Sequence, residues 1–331
     1  MKHTWKRLSE YAPGIALASS VALLAWLAEA RIGGAVMLYA LLFGMFLNPV
    51  ASRGNLTSGI AFSARHVLRI GVALLGAKLT LVDAAALGAP TAILVVSGVL
   101  LTLIGGSLLG RACGLSKDFS VLTAGAVAIC GASAALAIAA VLPAHKHSEQ
   151  HTILAIAGVT TLSTIAMILY PLLAVALGMS DQTAGIFLGA SIHDVAQVVG
   201  AADTISAQAR DTATLVKLMR VACLVPVVAV LSWLVSRRGA DSGSVPGLPA
   251  FLIAFVVLML LNTFGLIPAG IQTVLAQAAR IALVIAVAAL GIKTSLKSIL
   301  GVGPRPVAAL ILQTLLLGLF VLAFVLLLST P

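Results

Sequence analysis

The chain has 331 residues, of which 61% are hydrophobic and only 9% charged. A soluble domain carries about 25% charged residues, so there is too little polar surface here to coat a water-facing globule. The formal net charge of +10 is scattered between apolar runs rather than gathered in a stripe, which argues against a nucleic-acid partner and for the lipid bilayer.

A membrane span needs about 20 mainly apolar residues. In chain order such runs fall near 13–30, 33–50, 65–82, 89–110, 119–142, 152–178, 183–204, 213–236, 248–266, 274–292 and 304–329. The first follows a basic start (Lys2, Lys6, Arg7) without a cleavage site and reads as a retained span. The predicted fold is therefore an all-α polytopic membrane protein of about 11 transmembrane helices. It forms a single transmembrane domain over 1–331, with repeat-like halves near 33–110 and 248–329 around central spans near 119–236. The most polar connections are 144–151, with three histidines, and the Gly/Ser-rich stretch 237–246.

With a cytoplasmic N-terminus, twelve lysines and arginines, Arg53, Arg238 and Lys297 among them, fall on the cytoplasmic side. Only Arg31, Lys78, Lys146 and Arg210 fall on the other, and Arg69, Lys217, Arg220 and Arg280 lie within spans. That bias is what the positive-inside rule expects, and it puts the C-terminus outside.

Two stretches resemble each other. Ala73–Leu81 (ALLGAKLTL) matches Ala288–Leu296 (AALGIKTSL); Ala64-Arg65 matches Ala279-Arg280 at the same offset, and Leu47-Asn48 matches Leu261-Asn262 with one residue of slippage. The second and third spans thus pair with the ninth and tenth, and by position the fourth pairs with the eleventh. Copies seven spans apart cross the membrane in opposite directions. Such inverted-topology repeats, with broken helices near the midplane, are a recurring device of secondary transporters. Lys78 and Lys293 are equivalent in this register, and each suits the C-terminal end of a helix, where the dipole favours a cation.

The fifth span carries Ala128–Ala134 (AICGASA). Small residues there suit tight helix packing. Alternatively the helix unwinds at Gly131, so that Cys130, Gly131 and Ser133 border a half-helix N-terminus able to hold an anion. The seventh span holds the one acidic residue placed mid-span, Asp194, beside His193, with Gln197 one turn on. A charge there costs at least about 2.5–3.5 kcal/mol and calls for a partner or a function; Asp194 and His193 are the candidates for ion coupling, since histidine also suits proton handling. In the eighth span Lys217 and Arg220 lie three residues apart on one face. Either they snorkel to the interface, or one points inward to compensate Asp194 or a bound anion, Arg220 being suited to an oxyanion. The candidate substrate-binding set is Cys130, Gly131, Ser133, His193, Gln197, Lys217 and Arg220. The odd count of cysteines (Cys113, Cys130, Cys223) argues against a disulfide framework. His145, His147, Glu149 and His151 have irregular spacing and read as a surface cluster rather than a metal site. No cofactor is expected.

The stretches 128–134, 192–201 (IHDVAQVVGA) and 213–221 (ATLVKLMRV) resemble the signatures of the YeiH family, a family described as sulfate exporters, and the likeness extends over almost the whole chain. The resemblance implies a bacterial inner-membrane carrier that exports sulfate or a related small anion of the sulfonate type. With the residues above it gives a secondary transporter, proton-coupled through Asp194 or His193, and not an enzyme; assembly into a homo-oligomer is left open. A cation/proton antiporter built on Asp194 is the alternative, and an intramembrane enzyme using His193 and Asp194 is a more distant one.

Overall fold

Each of the eleven apolar runs is helical in the computed structural model, which describes residues 2–51, 56–143, 146–237, 249–294 and 303–329. In chain order the helices are α1 (Lys2–Ile32), α2 (Val36–Phe46), α3 (Thr57–Leu75), α4 (Gly88–Ala112), α5a (Lys117–Ala128) and α5b (Ala132–Ala139). There follow α6 (Ser148–Ala176), α7a (Asp181–Ser191), α7b (Val195–Asp203), α8 (Ala207–Ser236), α9 (Ala250–Thr263), α10 (Ala269–Lys293) and α11 (Pro304–Ser329). Among the described residues seven of them (α1, α3, α4, α6, α8, α10 and α11) are long and apolar enough to cross a membrane. α2 and α9 are shorter apolar helices, and the fifth and seventh runs are each broken in two. Large apolar side chains such as Ile104, Leu172 and Leu319 point outward, more than 60% exposed, as a lipid-facing surface requires.

Arg53, Arg238, Lys297, His145, Leu296 and most of the Gly/Ser-rich stretch lie outside the described residues, as do the side chains of Lys2, Lys6 and Arg7. The third helix differs from expectation. It begins at Thr57 rather than near 65 and ends at Leu75 rather than near 82. Its second and third turns pass through a π-helical stretch, Ser63–Val67, that carries Arg65 and His66. Hydropathy places such a cation at a span's end; the helix carries it within.

The chain packs as two compact units, residues 1–86 with 249–295 and residues 87–248 with 296–331. The first contains α1, α2, α3, α9 and α10, so it holds both copies of the repeat's two matched helices. Asn48 Nδ2 donates to the Ile292 carbonyl at the end of α10 (2.8 Å), and its counterpart Asn262 donates to the Leu79 carbonyl just beyond α3 (3.1 Å). Gly76 lies directly against the Phe255 carbonyl, and its counterpart Gly291 lies against the carbonyl of Leu41, the counterpart of Phe255. A Cβ at either glycine would collide with that oxygen. Reciprocal contacts of this kind are what a two-fold relation between the copies produces. Lys78 follows the end of α3 and Lys293 ends α10, both exposed.

The second unit contains α4 to α8 and α11. Its local sequence explains where each piece begins. Ser116, Ser180 and Ser206 cap α5a, α7a and α8 by accepting the N–H groups of Phe119, Thr183 and Ala209. Inside α8, Pro226 lacks an N–H, and the chain passes from one helical piece to the next at Cys223. α7a and α8 approach closely because Gly189 offers no side chain: a Cβ there would meet the Ala213 carbonyl and Val216. That contact brings the middle of α8 against the break in the seventh run.

Candidate functional site

The two breaks meet. The fifth run stops at Ala128 because Gly131 adopts φ +64 and ψ −124, a conformation that side-chain-bearing residues avoid. Its N–H turns back to the Ala126 carbonyl (2.8 Å). The seventh run stops at Ser191, where Ile192 is extended. A Cβ on Gly131 would lie 3.9 Å from the Cβ of His193, so the two interruptions face one another.

Each break leaves backbone carbonyls without an intrahelical partner, and in the interior of a membrane protein no bulk water can satisfy them. The fully buried cations of α8 do so. Lys217 Nζ donates to the carbonyls of Ile129 (2.7 Å) and Ile192 (2.9 Å). Arg220 donates Nε–H to Ala128 (3.2 Å), Nη1–H to Gly189 and Ile192 (3.2 and 2.8 Å), and Nη2–H to Val127 and Ala128 (3.0 and 2.8 Å). A guanidinium has five N–H groups, and here all five are engaged. Lys217 keeps one. Both cations therefore sit on the negative, C-terminal ends of α5a and α7a. Among the described residues neither is ion-paired with Asp194.

The second halves start from the same place. Asp194 lies between α7a and α7b rather than inside a continuous helix, and it caps α7b by accepting the Ala196 N–H (2.8 Å). α6 supplies the floor. Ser163 Oγ accepts the backbone N–H groups of His193 (3.2 Å) and Asp194 (3.1 Å). One turn away, Gln197 Nε2 donates to Thr164 Oγ1 (2.7 Å) and to the Thr160 carbonyl (3.4 Å). Val159, next in sequence to Thr160, lies against Gly131. His193 Nε2 meets Thr314 Oγ1 of α11 at 3.0 Å. α5b has no side-chain cap at Gly131, so its first-turn N–H groups adjoin the cluster.

Of the predicted residues, Cys130, Gly131, His193, Asp194, Gln197, Lys217 and Arg220 come together at the breaks. Asp194 is half-buried, and the others are buried. Ser133, in the first turn of α5b, is exposed. His193 and Asp194 do not pair through their side chains, since the imidazole turns to Thr314 and the carboxylate to the α7b backbone. Ser163, Thr164, Gln313 and Thr314 were missed. The run Thr160-Thr-Leu-Ser-Thr164 inside an apolar helix, and the isolated Gln313-Thr314, were the available signals. Of the loop histidines, His151 stacks on Phe119 (4.2 Å between centroids) with His147 beside it, away from the breaks. Among the described residues no three His, Cys, Asp or Glu side chains form a group that could hold a metal. Arg280 pairs with Glu29 (3.2 Å), and Arg69 lies over the Phe251 ring.

Comparison with known proteins adds a family. Residues 13–310 match the family model described as Conserved hypothetical protein 698. The chain is 49% identical, over 93% of its own length and 93% of the relative's, to the UPF0324 membrane protein TauZ of Paracoccus denitrificans. It is 48% identical to the protein of the same name from Paracoccus pantotrophus, over 96% and 95% of the two chains. A UPF0324 membrane protein of Chlorobaculum tepidum is 46% identical over 96% and 90%.

Proposed function

The chain belongs to this family of membrane proteins, and on that premise we propose that it is a secondary active transporter of a small anion, sulfate or one of the sulfonate type. It carries that anion outward across a bacterial inner membrane, with its N-terminus cytoplasmic, its C-terminus outside, and no covalent chemistry. The observation that supports this most is the meeting of two broken helices inside one unit of a membrane protein. Broken helices place free backbone groups, and hence helix-dipole charge, at membrane depth, where transporters bind substrate and coupling ions.

In this reading the anion is held at the N-terminal ends of α5b and α7b. Lys217 and Arg220 act as fixed positive charges, with Arg220 positioning the two breaks and Lys217 keeping one N–H toward the site. Asp194, with His193 beside it, takes the coupling proton. Reconstitution into liposomes, with radiolabelled sulfate and sulfonates and an imposed pH gradient, tests it. Gradient-dependent, saturable flux that is lost in Asp194→Asn is expected. Absence of flux for every one of these anions, in protein shown to be folded, would overturn the reading.

One observation favours a second reading. All five Arg220 donors serve carbonyls, and the acidic side chain at the breaks is the half-buried carboxylate of Asp194, which suits a cation/proton antiporter. Sodium- or pH-driven flux that needs no anion would select it.

A further inference from the structure

Two glutamines in the second unit have the same arrangement. Thr164 Oγ1 donates its single proton to the Thr160 carbonyl (3.0 Å). Toward Gln197 it can only accept, so the Gln197 atom 2.7 Å away is the amide nitrogen. That fixes Oε1 on the other side. Gln197 is fully buried, and its Oε1 has no hydrogen-bond partner in the protein. Gln313 repeats the pattern: Nε2 is held by the Gly106 carbonyl (2.9 Å) and by Thr123 Oγ1 (3.0 Å), whose proton goes to the Ser120 carbonyl, and Oε1 is again buried and unpartnered. Next to Gln313, Thr314 holds His193 Nε2, and His193 Nδ1 is unpartnered as well.

A buried amide oxygen accepts and cannot donate. A fully deprotonated oxyanion has no hydrogen to give it, and an acceptor left without a donor costs binding energy. The charge at the breaks adds a second constraint. Lys217 and Arg220 bring two positive charges. The C-terminal ends of α5a and α7a offset about one of these, and Asp194 offsets another; the N-terminal ends of α5b and α7b add back about one in total, each helix end counting as about half a charge. With Cys130 counted as a thiol and His193 as a neutral imidazole, roughly one positive charge is left for a ligand to balance.

Resting on the anion-carrier reading, we infer that the ligand is a singly charged anion that brings its own hydrogen-bond donor, a small sulfonate-type anion with a hydroxyl group, and that Gln197 Oε1 receives that donor. Gln197 is then the residue that determines specificity. It acts on the ligand from the first turn of α7b.

The test compares two monoanions of equal shape that differ by one donor, 2-hydroxyethanesulfonate and 1-propanesulfonate, in proteoliposomes. Radiolabelled uptake by the wild type is expected to be half-saturated by the hydroxylated anion at a concentration about 10- to 100-fold lower than by the alkyl one. In Gln197→Met, which keeps the length and removes the acceptor, that ratio should fall to near 1 while the melting temperature in detergent stays within a few degrees. Saturable uptake of both anions at equal concentrations in the wild type would overturn the donor requirement and leave the carrier standing. Sulfate taken up better than either would do the same to the single-charge requirement. If neither sulfonate nor sulfate gives saturable uptake in folded protein, the carrier reading fails and this inference falls with it.

Discussion

The carbonyls of Ile129 and Ile192 converge on one ammonium group: Lys217 Nζ lies 2.7 Å from the first and 2.9 Å from the second. One side chain thus ties together the ends of two half-helices from distant parts of the chain, and Arg220, one turn further along α8, reinforces the same junction.

Replacing either cation should loosen both breaks at once. Arg220→Lys has at most three donors for five bonds, and lysine cannot reproduce the planar fork. A loss of about 3 kcal/mol is expected, with hydrogen bonds to a charged group worth about 1.5–3 kcal/mol each. Thermal unfolding of the detergent-solubilised variant measures it. A shift of less than a degree or two would mean that the carbonyls find other partners.

Asp194→Asn and Asp194→Ala should separate capping from charge. Asparagine caps a helix about as well as aspartate, whereas alanine costs about 1 kcal/mol. The Asn variant should therefore melt with the wild type yet lose gradient-dependent flux, and the Ala variant should lose both. Retained coupling in a stable Asn variant would remove Asp194 from the mechanism.

Ser163 holds the backbone on either side of the break in the seventh run, accepting from His193 and Asp194. Ser163→Ala leaves two N–H groups without that acceptor. A destabilisation of about 1–3 kcal/mol is expected, together with reduced transport. Normal stability with normal flux would show that the break holds its shape without α6.

Gly131→Ala places a Cβ on a backbone at φ +64, ψ −124, a region that costs of order 1–3 kcal/mol for a residue with a side chain. Folded protein with little or no transport is the expected phenotype, because straightening the backbone would restore a continuous helix and withdraw the N-terminal end of α5b. Wild-type flux would show that the break is dispensable.

The equivalence of Asn48 and Asn262 predicts matched effects. Each donates one hydrogen bond to a carbonyl near the end of the other copy's helix, so Asn48→Ala and Asn262→Ala should each cost about 1 kcal/mol. Asn262 also accepts from Gln272 Nε2 (2.6 Å), which should make its loss the larger of the two. An Asn48 variant more damaging than its counterpart would argue against the two-fold relation.

Much of this was legible in the chain. The eleven apolar runs follow from composition, because segments of that hydropathy are stable only in lipid or packed against one another. The repeat was visible through Arg, Gly, Lys and Asn falling in register, and the cluster at 192–197 through a charge where hydropathy forbids one. The helix limits were less legible at α3, where Arg65 is carried within the helix through a π-helical stretch that sets no hydropathy signal. The hydroxyl run on α6 and Gln313-Thr314 on α11 passed unnoticed because a threonine or serine within an apolar helix is as often bonded to its own backbone as to a distant group.

By itself, the sequence determined the membrane class, the family, the glycine that lets the fifth run break and the presence of two cations among apolar neighbours. All of these rest on local hydropathy, on a glycine that permits a particular backbone, or on residue identity in a motif. Only the tertiary structure decided what the cations face. Whether Lys217 and Arg220 meet a carboxylate, a ligand or a backbone depends on which carbonyls two separate helices leave unpaired and on how closely α7a approaches α8. Neither property is carried by the spacing of the two residues. The same holds for Gln197: its free oxygen is fixed by a threonine on another helix that has already given its only proton away.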